Sequence, residues 1–348
     1  MKELIEKIRK IEEPFSFHTD REGMLQRRKK GFGSTDWAPL LSSHPYRKSL
    51  EVIMDKKTES IADDAPLIAE VGSHMESFIR AKFYEKNDYG CSPLIESSED
   101  KSAPGEYNLI PHAVHPFLYA NVDDLAISKH GSCVVEIKNV SSYVQKQWSE
   151  IDPPRYHWIQ CQAHMAILGS HFDDDSFDHC LLVGMLNNRD TKVFLIQRDD
   201  AFINQAIDLL GRRWNMVQEG DVSDLMWELE GDDKTLDAVK AMYPGQEGLE
   251  ADIADMEPDA AEYIQKSGEL KELEKEVKQL KARIAFSMGN AVKGTAGGFK
   301  ISYPIMKGRE RVDVEGARVA HPDIDWASFS KRGKDFRGGL RISFKGRK

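Results

Sequence analysis

Asp123, Glu136 and Lys138 are the residues whose types and spacing could do chemistry in this chain. Side chains alternate along Cys133–Val140, a run with the β-branched character of a strand, so Cys133, Val135 and Ile137 share one face while Val134, Glu136 and Lys138 share the other. Glu136 and Lys138 then lie ~7 Å apart along the strand. Ser128-Lys129-His130-Gly131 reads as a turn. If it closes a simple antiparallel hairpin, Ile127 pairs with Ser132, and counting back places Asp123 opposite Glu136. Its neighbour Asp124 points the other way. Two carboxylates facing each other across a ladder repel. A divalent cation relieves that repulsion, and carboxylate oxygens suit Mg²⁺ or Mn²⁺.

Lysine fits beside such a site, because phosphodiester hydrolysis needs an oriented water and stabilisation of negative charge growing on the phosphate. Glu76, beside an apolar helical stripe, would add a third acid. Gln160, on a helix after the strand, could hold the water or the phosphate by hydrogen bonds. Taken alone, Glu-x-Lys in a strand is equally a surface ion cluster. The added acid, the hairpin carboxylate and the glutamine helix favour a site.

The elements that must position these residues follow from periodicity. Residues 1–30 read as helix, and Gly31-Phe32-Gly33-Ser34-Thr35-Asp36 as a turn before an apolar stretch that starts at Trp37. From Pro66 to about Tyr84, Ile68, Val71, Met75, Phe78, Ile79 and Phe83 have helical spacing. Strands are expected at 108–111, Leu118–Ile127, Cys133–Val140, Cys180–Leu186 and 192–197. A helix capped by Asp152 at Pro153-Pro154 runs through Gly169, and another spans 200–219. This order gives an α+β or α/β core.

Beyond it, Leu270, Leu273, Val277, Leu280 and Ile284 repeat at three and four for about two heptads. The brevity favours a helix packing within its own chain over a long coiled coil, with an oligomer contact as the alternative. Segments 299–303 and 311–314 suggest a hairpin, with a further strand at 340–344. The domain reading is 1–220 for the core, 221–262 for an acidic linker or helical segment, and 263–348 for a helical and β-hairpin extension.

The chain's 348 residues carry a formal charge of -10, which looks unsuited to gripping a polyanion until its distribution is considered. Fifteen acids against two lysines lie between Glu219 and Glu262, so the remainder is slightly basic. Arg27-Arg28-Lys29-Lys30 and the stretch 331–348 are basic clusters able to meet phosphates. No apolar run reaches the roughly 18 residues of a membrane span. With no signal-peptide pattern at the start, a cytoplasmic location is expected. The four cysteines form no CxxC pair and read as reduced thiols. His112 and His115 lack partner ligands for zinc and read as loop residues.

In order and spacing, Gly72-x-x-x-Glu76, Asn121-Val122-Asp123, Glu136-Ile137-Lys138 and Gln160-Cys161-Gln162-x-x-Met165 resemble the phage lambda exonuclease and YqaJ-type viral recombinase branch of the PD-(D/E)xK nucleases. Arg28 to Asp36 with His44-Pro45-Tyr46 is similar to that branch's N-terminal signature, and Gly294–Phe299 through Arg341-Ile342-Ser343 to its C-terminal part. The resemblance implies a restriction-endonuclease-like core, a central mixed sheet flanked by helices, with a C-terminal helix and hairpin. It implies a 5′-to-3′ exonuclease acting on ends of linear double-stranded DNA in a bacterial cell, leaving 3′ overhangs for a single-strand annealing protein. Two Mg²⁺ ions, or Mn²⁺, would be held by Asp123, Glu136, the Ile137 carbonyl and Glu76, with Lys138 and Gln160 completing the catalytic set. Arg28, Ser34 and Thr35 would bind a 5′ phosphate, and a trimeric ring is implied. A related endonuclease or nickase, or a DNA-binding assembly protein with a weak core, are the other readings.

Two departures matter. The branch's Pro-Asp-Gly is Val122-Asp123-Asp124 here, leaving adjacent acids between which strand parity favours Asp123. His157 stands where a tyrosine often precedes the glutamine, and reads as a helix surface residue, with phosphate contact the alternative.

Overall fold

The computed structural model describes residues 21–58, 67–86, 88–94, 107–148, 151–172, 176–219, 231–243, 245–305 and 313–325, with 6, 16, 17 and 229. The chain divides into two compact units, Met1–Met242 and Tyr243–Lys348.

A five-stranded sheet organises the first unit. Its strands are β3 (Ser92–Pro93), β7 (Asp124–Ser128), β8 (Gly131–Val140), β9 (His179–Leu186) and β10 (Asp190–Gln197), in the order β10-β9-β8-β7-β3. β8 and β9 run parallel and the other pairs antiparallel, so the sheet is mixed. The central mixed sheet flanked by helices that the resemblance implies is therefore present, in a core of mixed α and β elements. β8 is central, and its Val134 and Val135 are fully buried on opposite faces; burial of each such side chain contributes about 1.5–3 kcal/mol. The β7–β8 hairpin has the expected register, with Ile127 paired to Ser132 and Ser128 to Gly131. Gly131 adopts φ +114°, a conformation that side chains other than hydrogen rarely allow.

Each sheet face carries a helix. Ile79 and Phe83 of the helix Leu67–Lys86 (α4) pack on Ala126, Cys133, Val135, Ile137, Leu181 and Val183. Only part of its expected stripe is core, since Val71 and Phe78 are exposed. The opposite face carries Arg155–Gly169 (α5), whose residues Ile159–Leu168 are all buried between the sheet and a third layer. That layer includes α2 (Ser34–Leu40), α3 (Ser49–Lys57) and α6 (Asp200–Glu219). α6 is amphipathic and buries Ile203, Ala206 and Leu210 at helical spacing.

Several expectations require correction. Ser16–Phe17 (β1) pairs with Tyr107–Asn108 (β4), so 1–30 is not one helix; among its described residues the helix α1 covers Arg21–Arg28. The expected turn at 31–36 is instead the strand Phe32–Gly33 (β2) followed at once by α2. The Asp36 carboxylate accepts from Gly33 N at 3.0 Å there, satisfying an amide ahead of the helix. Leu118–Ile127 is two strands in two sheets: Leu118–Ala120 (β6) joins β2 and Ile110–Pro111 (β5), and the chain then crosses to β7. The expected strand 108–111 likewise splits at Leu109 between β4 and β5. Pro154, not Asp152, precedes α5, with no side-chain cap.

In the second unit, α8 (Glu257–Met288) contains the heptad stripe, none of its residues is buried, and among the described residues of that unit nothing covers the stripe. A separate helix, α7 (Asp233–Met242), ends the first unit. The hairpin pairs Lys293–Ala296 (β11) with Phe299–Ser302 (β12), while Val314 begins the helix α9 (Val314–Ala320) and not a strand. The expected strand 340–344 and the basic stretch 331–348 lie outside the described residues.

Candidate active site

Extending the β7–β8 register by one residue sets Asp123 opposite Glu136, because Asp124 pairs with Val135. The two faces then separate the neighbouring acids. Asp124 turns toward α4, where Arg80 Nε lies 2.5 Å and the Tyr84 hydroxyl 2.8 Å from its Oδ2, and Leu125 N donates to Oδ1 at 2.9 Å. Asp123 accepts from Ile137 N at 2.7 Å and faces Glu136.

Glu136 is fully buried beneath α5. Its Oε1 accepts from Lys138 Nζ and, at 2.6 Å, from Gln160 Nε2. Its Oε2 is buried without a hydrogen bond; His164 Nδ1 is 3.2 Å away, but neither atom completes one. On its other edge His164 Nε2 lies 2.7 Å from the buried Ser34 hydroxyl at the start of α2. Gln160 and His164 are one helical turn apart, so both reach the same carboxylate. His164 was missed in the sequence, although its spacing from Gln160 was the available signal.

The electrostatics are unequal. Burial opposes charge on Glu136, but Lys138 and His164 outweigh it and hold the carboxyl at about 2. Burial and then the Glu136 charge push Asp123 well above the carboxylate range, with Glu76 adding to the push. Burial also works against charge on Lys138, yet Glu136 and Asp123 keep its ammonium above its usual value. Lys138 is therefore a fixed cation at neutral pH.

The structure thus brings together Asp123, Glu136, Lys138 and Gln160, with half-buried Glu76 close enough to act on Asp123 through its charge. Ser34 joins through His164. Thr35 is exposed, and half-buried Arg28 stands near Asp36 in a second cluster. In that cluster Asp36 receives Arg47 Nη1 at 2.7 Å and Lys56 Nζ at 2.9 Å, and Lys56 also donates to the Arg28 carbonyl at 2.6 Å. Sequence patterning gave no sign of this network, whose members are drawn from three separate segments.

His157 is not the expected helix surface residue. It sits beside Trp148 and Tyr156, with ring centroids 5.5 and 4.3 Å away, and burial, then Lys138, lowers it to about 3. His112 accepts from Val114 N and His115 N at 3.1 and 3.2 Å, which makes it a turn-forming residue as expected. All four cysteines are free and buried.

Among the described residues no group of three or more His, Cys, Asp or Glu side chains is assembled to hold a metal. The donor chemistry at Asp123 and Glu136 nevertheless fits a hard divalent cation: two carboxylates meet, one destabilised by the other, and Oε2 of Glu136 is an acceptor without a hydrogen bond.

Residues 24–171 match the model of the YqaJ-like viral recombinase domain. Over 313 residues the chain is 23% identical to the uncharacterized protein YqaJ of Bacillus subtilis (strain 168), with 87% of this chain and 89% of that protein covered. Among solved structures it is similar to the alkaline exonuclease LHK-Exo from Laribacter hongkongensis, at 18% identity and a TM-score of 0.44, covering 57% of this chain and 93% of that one. The complex of LHK-Exo with dAMP gives the same values.

Proposed function

We propose that the chain, whose residues 24–171 match the model of the YqaJ-like viral recombinase domain, is a metal-dependent deoxyribonuclease digesting linear double-stranded DNA from its 5′ ends. The observation that carries this reading is the Asp123–Glu136 carboxylate pair across the β7–β8 ladder, with Lys138 on the Glu136 side of the strand.

In this reading Asp123, Glu136, the Ile137 carbonyl and Glu76 hold Mg²⁺, or Mn²⁺, with two ions in the full site. When bound, the cation supplies Lewis-acid polarisation of the phosphodiester and a water of lowered pKa. Lys138, kept cationic by its acidic neighbours, stabilises negative charge on the phosphate; a base role would require it to lose that proton. Gln160 fixes Oε1 of Glu136, leaving Oε2 for the cation. Arg28, Ser34 and Thr35 receive the terminal 5′ phosphate, with Ser34 oriented by His164. The core 1–220 performs the chemistry, and the acidic segment 221–262 joins it to the extension 263–348. The 3′ overhangs are passed to a single-strand annealing protein, and the core assembles as a trimeric ring in the bacterial cytoplasm. No helix among the described residues is long and apolar enough to cross a membrane.

The test compares a linear duplex labelled at its 5′ ends with a closed circle of the same sequence. Mononucleotide release from the linear substrate alone, abolished by EDTA, is expected. Cleavage of the closed circle would sink the exonuclease reading.

A further inference from the structure

The helix Glu257–Met288 exposes a continuous apolar stripe. Leu270, Leu273, Val277, Leu280 and Ile284 are between 43% and 57% exposed, although their spacing is that of the a and d positions of a coiled coil. With Leu270 at a, the residues flanking the seam are Glu274 and Lys281 at e, and Glu276 and Arg283 at g. Of the helix's own ion pairs, Glu262–Lys266 precedes the stripe and Glu272–Lys275 lies away from the seam, and among the described residues none of the four flanking charges forms an ion pair within the chain.

We propose that this stripe is a homodimer contact, closed by the same helix of a second copy running antiparallel. In that arrangement a positions face d positions, so Val277 meets Leu280 and Leu273 meets Ile284, each contact occurring twice about the dyad. The flanking e residues then pair with e, and g with g: Glu274 meets Lys281 and Glu276 meets Arg283. All four flanking contacts join opposite charges. A parallel pair matches g with the following e instead. It would set Glu269 against Glu274 while retaining Glu276 against Lys281, so half of its flanking contacts would repel. Charge order at the positions flanking the seam, Glu274 and Glu276 before Val277 and Lys281 and Arg283 after Leu280, thus selects the orientation. The overlap of about 18 residues spans roughly 27 Å. A seam this short gives a weak, concentration-dependent pair.

Sedimentation of the full chain across micromolar concentrations tests the proposal. Whatever oligomer the core forms, native assemblies should reach twice the mass of those of L273E/L280E. These side chains are exposed, so the variant's fold and far-UV spectrum should be unchanged. E274K/E276K should lose the doubling, because every flanking contact of the antiparallel pair becomes repulsive, and an equimolar mixture with K281E/R283E should recover it. A parallel pair would exchange one favourable contact for another under E274K/E276K and keep its mass. For orientation, a mixture of L273C and I284C chains should form the mixed disulfide in preference to either symmetric one. Equal masses for native and L273E/L280E, including the case in which the helix binds only some other protein, would overturn the proposal. So would retained doubling in E274K/E276K, or a preference of L273C chains for disulfide linkage to one another over linkage to I284C chains.

Discussion

Gln160 Nε2 donates to Oε1 of Glu136 across 2.6 Å, beside Lys138 on the same oxygen. This amide fixes the rotation of a buried carboxylate and leaves its second oxygen free of hydrogen bonds. Outer-shell contacts of that kind are typically worth 10–100-fold in metal affinity or activity. Q160A should therefore lower the nuclease rate by about 10–100-fold with little change in melting temperature. His164 touches the other side of the same carboxylate, so H164A should weaken activity in the same direction. A fully active Q160A would show that Lys138 and His164 suffice to set the geometry of Glu136.

The adjacent acids Asp123 and Asp124 should separate cleanly. Asp124 holds Arg80 and Tyr84 against the sheet, and breaking a buried ion pair leaves an uncompensated charge. D124A should cost about 3 kcal/mol in denaturant melts. Charge on Asp123 is opposed by burial and by Glu136. D123N should abolish nuclease activity, yet leave the divalent-free protein as stable as the native chain or more so. Thermal melts in EDTA together with a nuclease assay check both. Loss of stability in D123N with retained activity would exchange the two roles.

Much of this separation was legible before the fold was known. Alternation along Cys133–Val140 and the four-residue turn fixed the register of β7 and β8, because a period of two admits one register once a face is buried. The helix from Asp200 to Glu219 was equally clear from its spacing. The crossing at Asn121–Asp123 was not. Leu118 to Ile127 is apolar on both sides of it, and whether such a run stays in one sheet depends on partners far away in sequence, here Phe32 for β6 and Ser132 for β7. The helix at Ser34 was hidden by Gly31, Gly33 and Pro39, which read locally as a turn. The Asp36 network has no local pattern at all.

That network predicts an acid limb of stability. Burial would raise the Asp36 carboxyl, but Lys56, Arg47 and Arg28 outweigh it and hold the group at about 2, below its ordinary 3.8. A depressed carboxyl stabilises the fold fully above its unfolded value, and that stability is lost as pH falls through the folded one. The window is thus about 3.8 down to about 2, and the contribution is roughly 2 kcal/mol. Denaturant melts across this range should show the native chain losing stability faster than D36N. D36N itself should be about 3 kcal/mol weaker near neutrality, because buried Lys56 loses its partner. Parallel pH profiles for the two chains would refute the assignment.

Two glycines should respond oppositely to alanine. A Cβ on Gly31 would stand 2.2 Å from the Phe117 carbonyl oxygen, which also accepts from Phe32 N at 2.6 Å. Since backbone cannot move aside as a flexible side chain can, G31A must part β2 from β6. The start of α2, and with it the Ser34–His164 contact, moves too. A loss of about 2–3 kcal/mol and a fall in activity are expected. Gly72, inside the helix that carries Glu76, meets nothing within 4 Å. G72A should therefore stabilise by about 0.5–1 kcal/mol through helix propensity alone. Activity equal to that of the native chain is expected if the space over Gly72 is solvent. A loss of activity in a stabilised G72A would instead place the DNA strand against this turn of the helix.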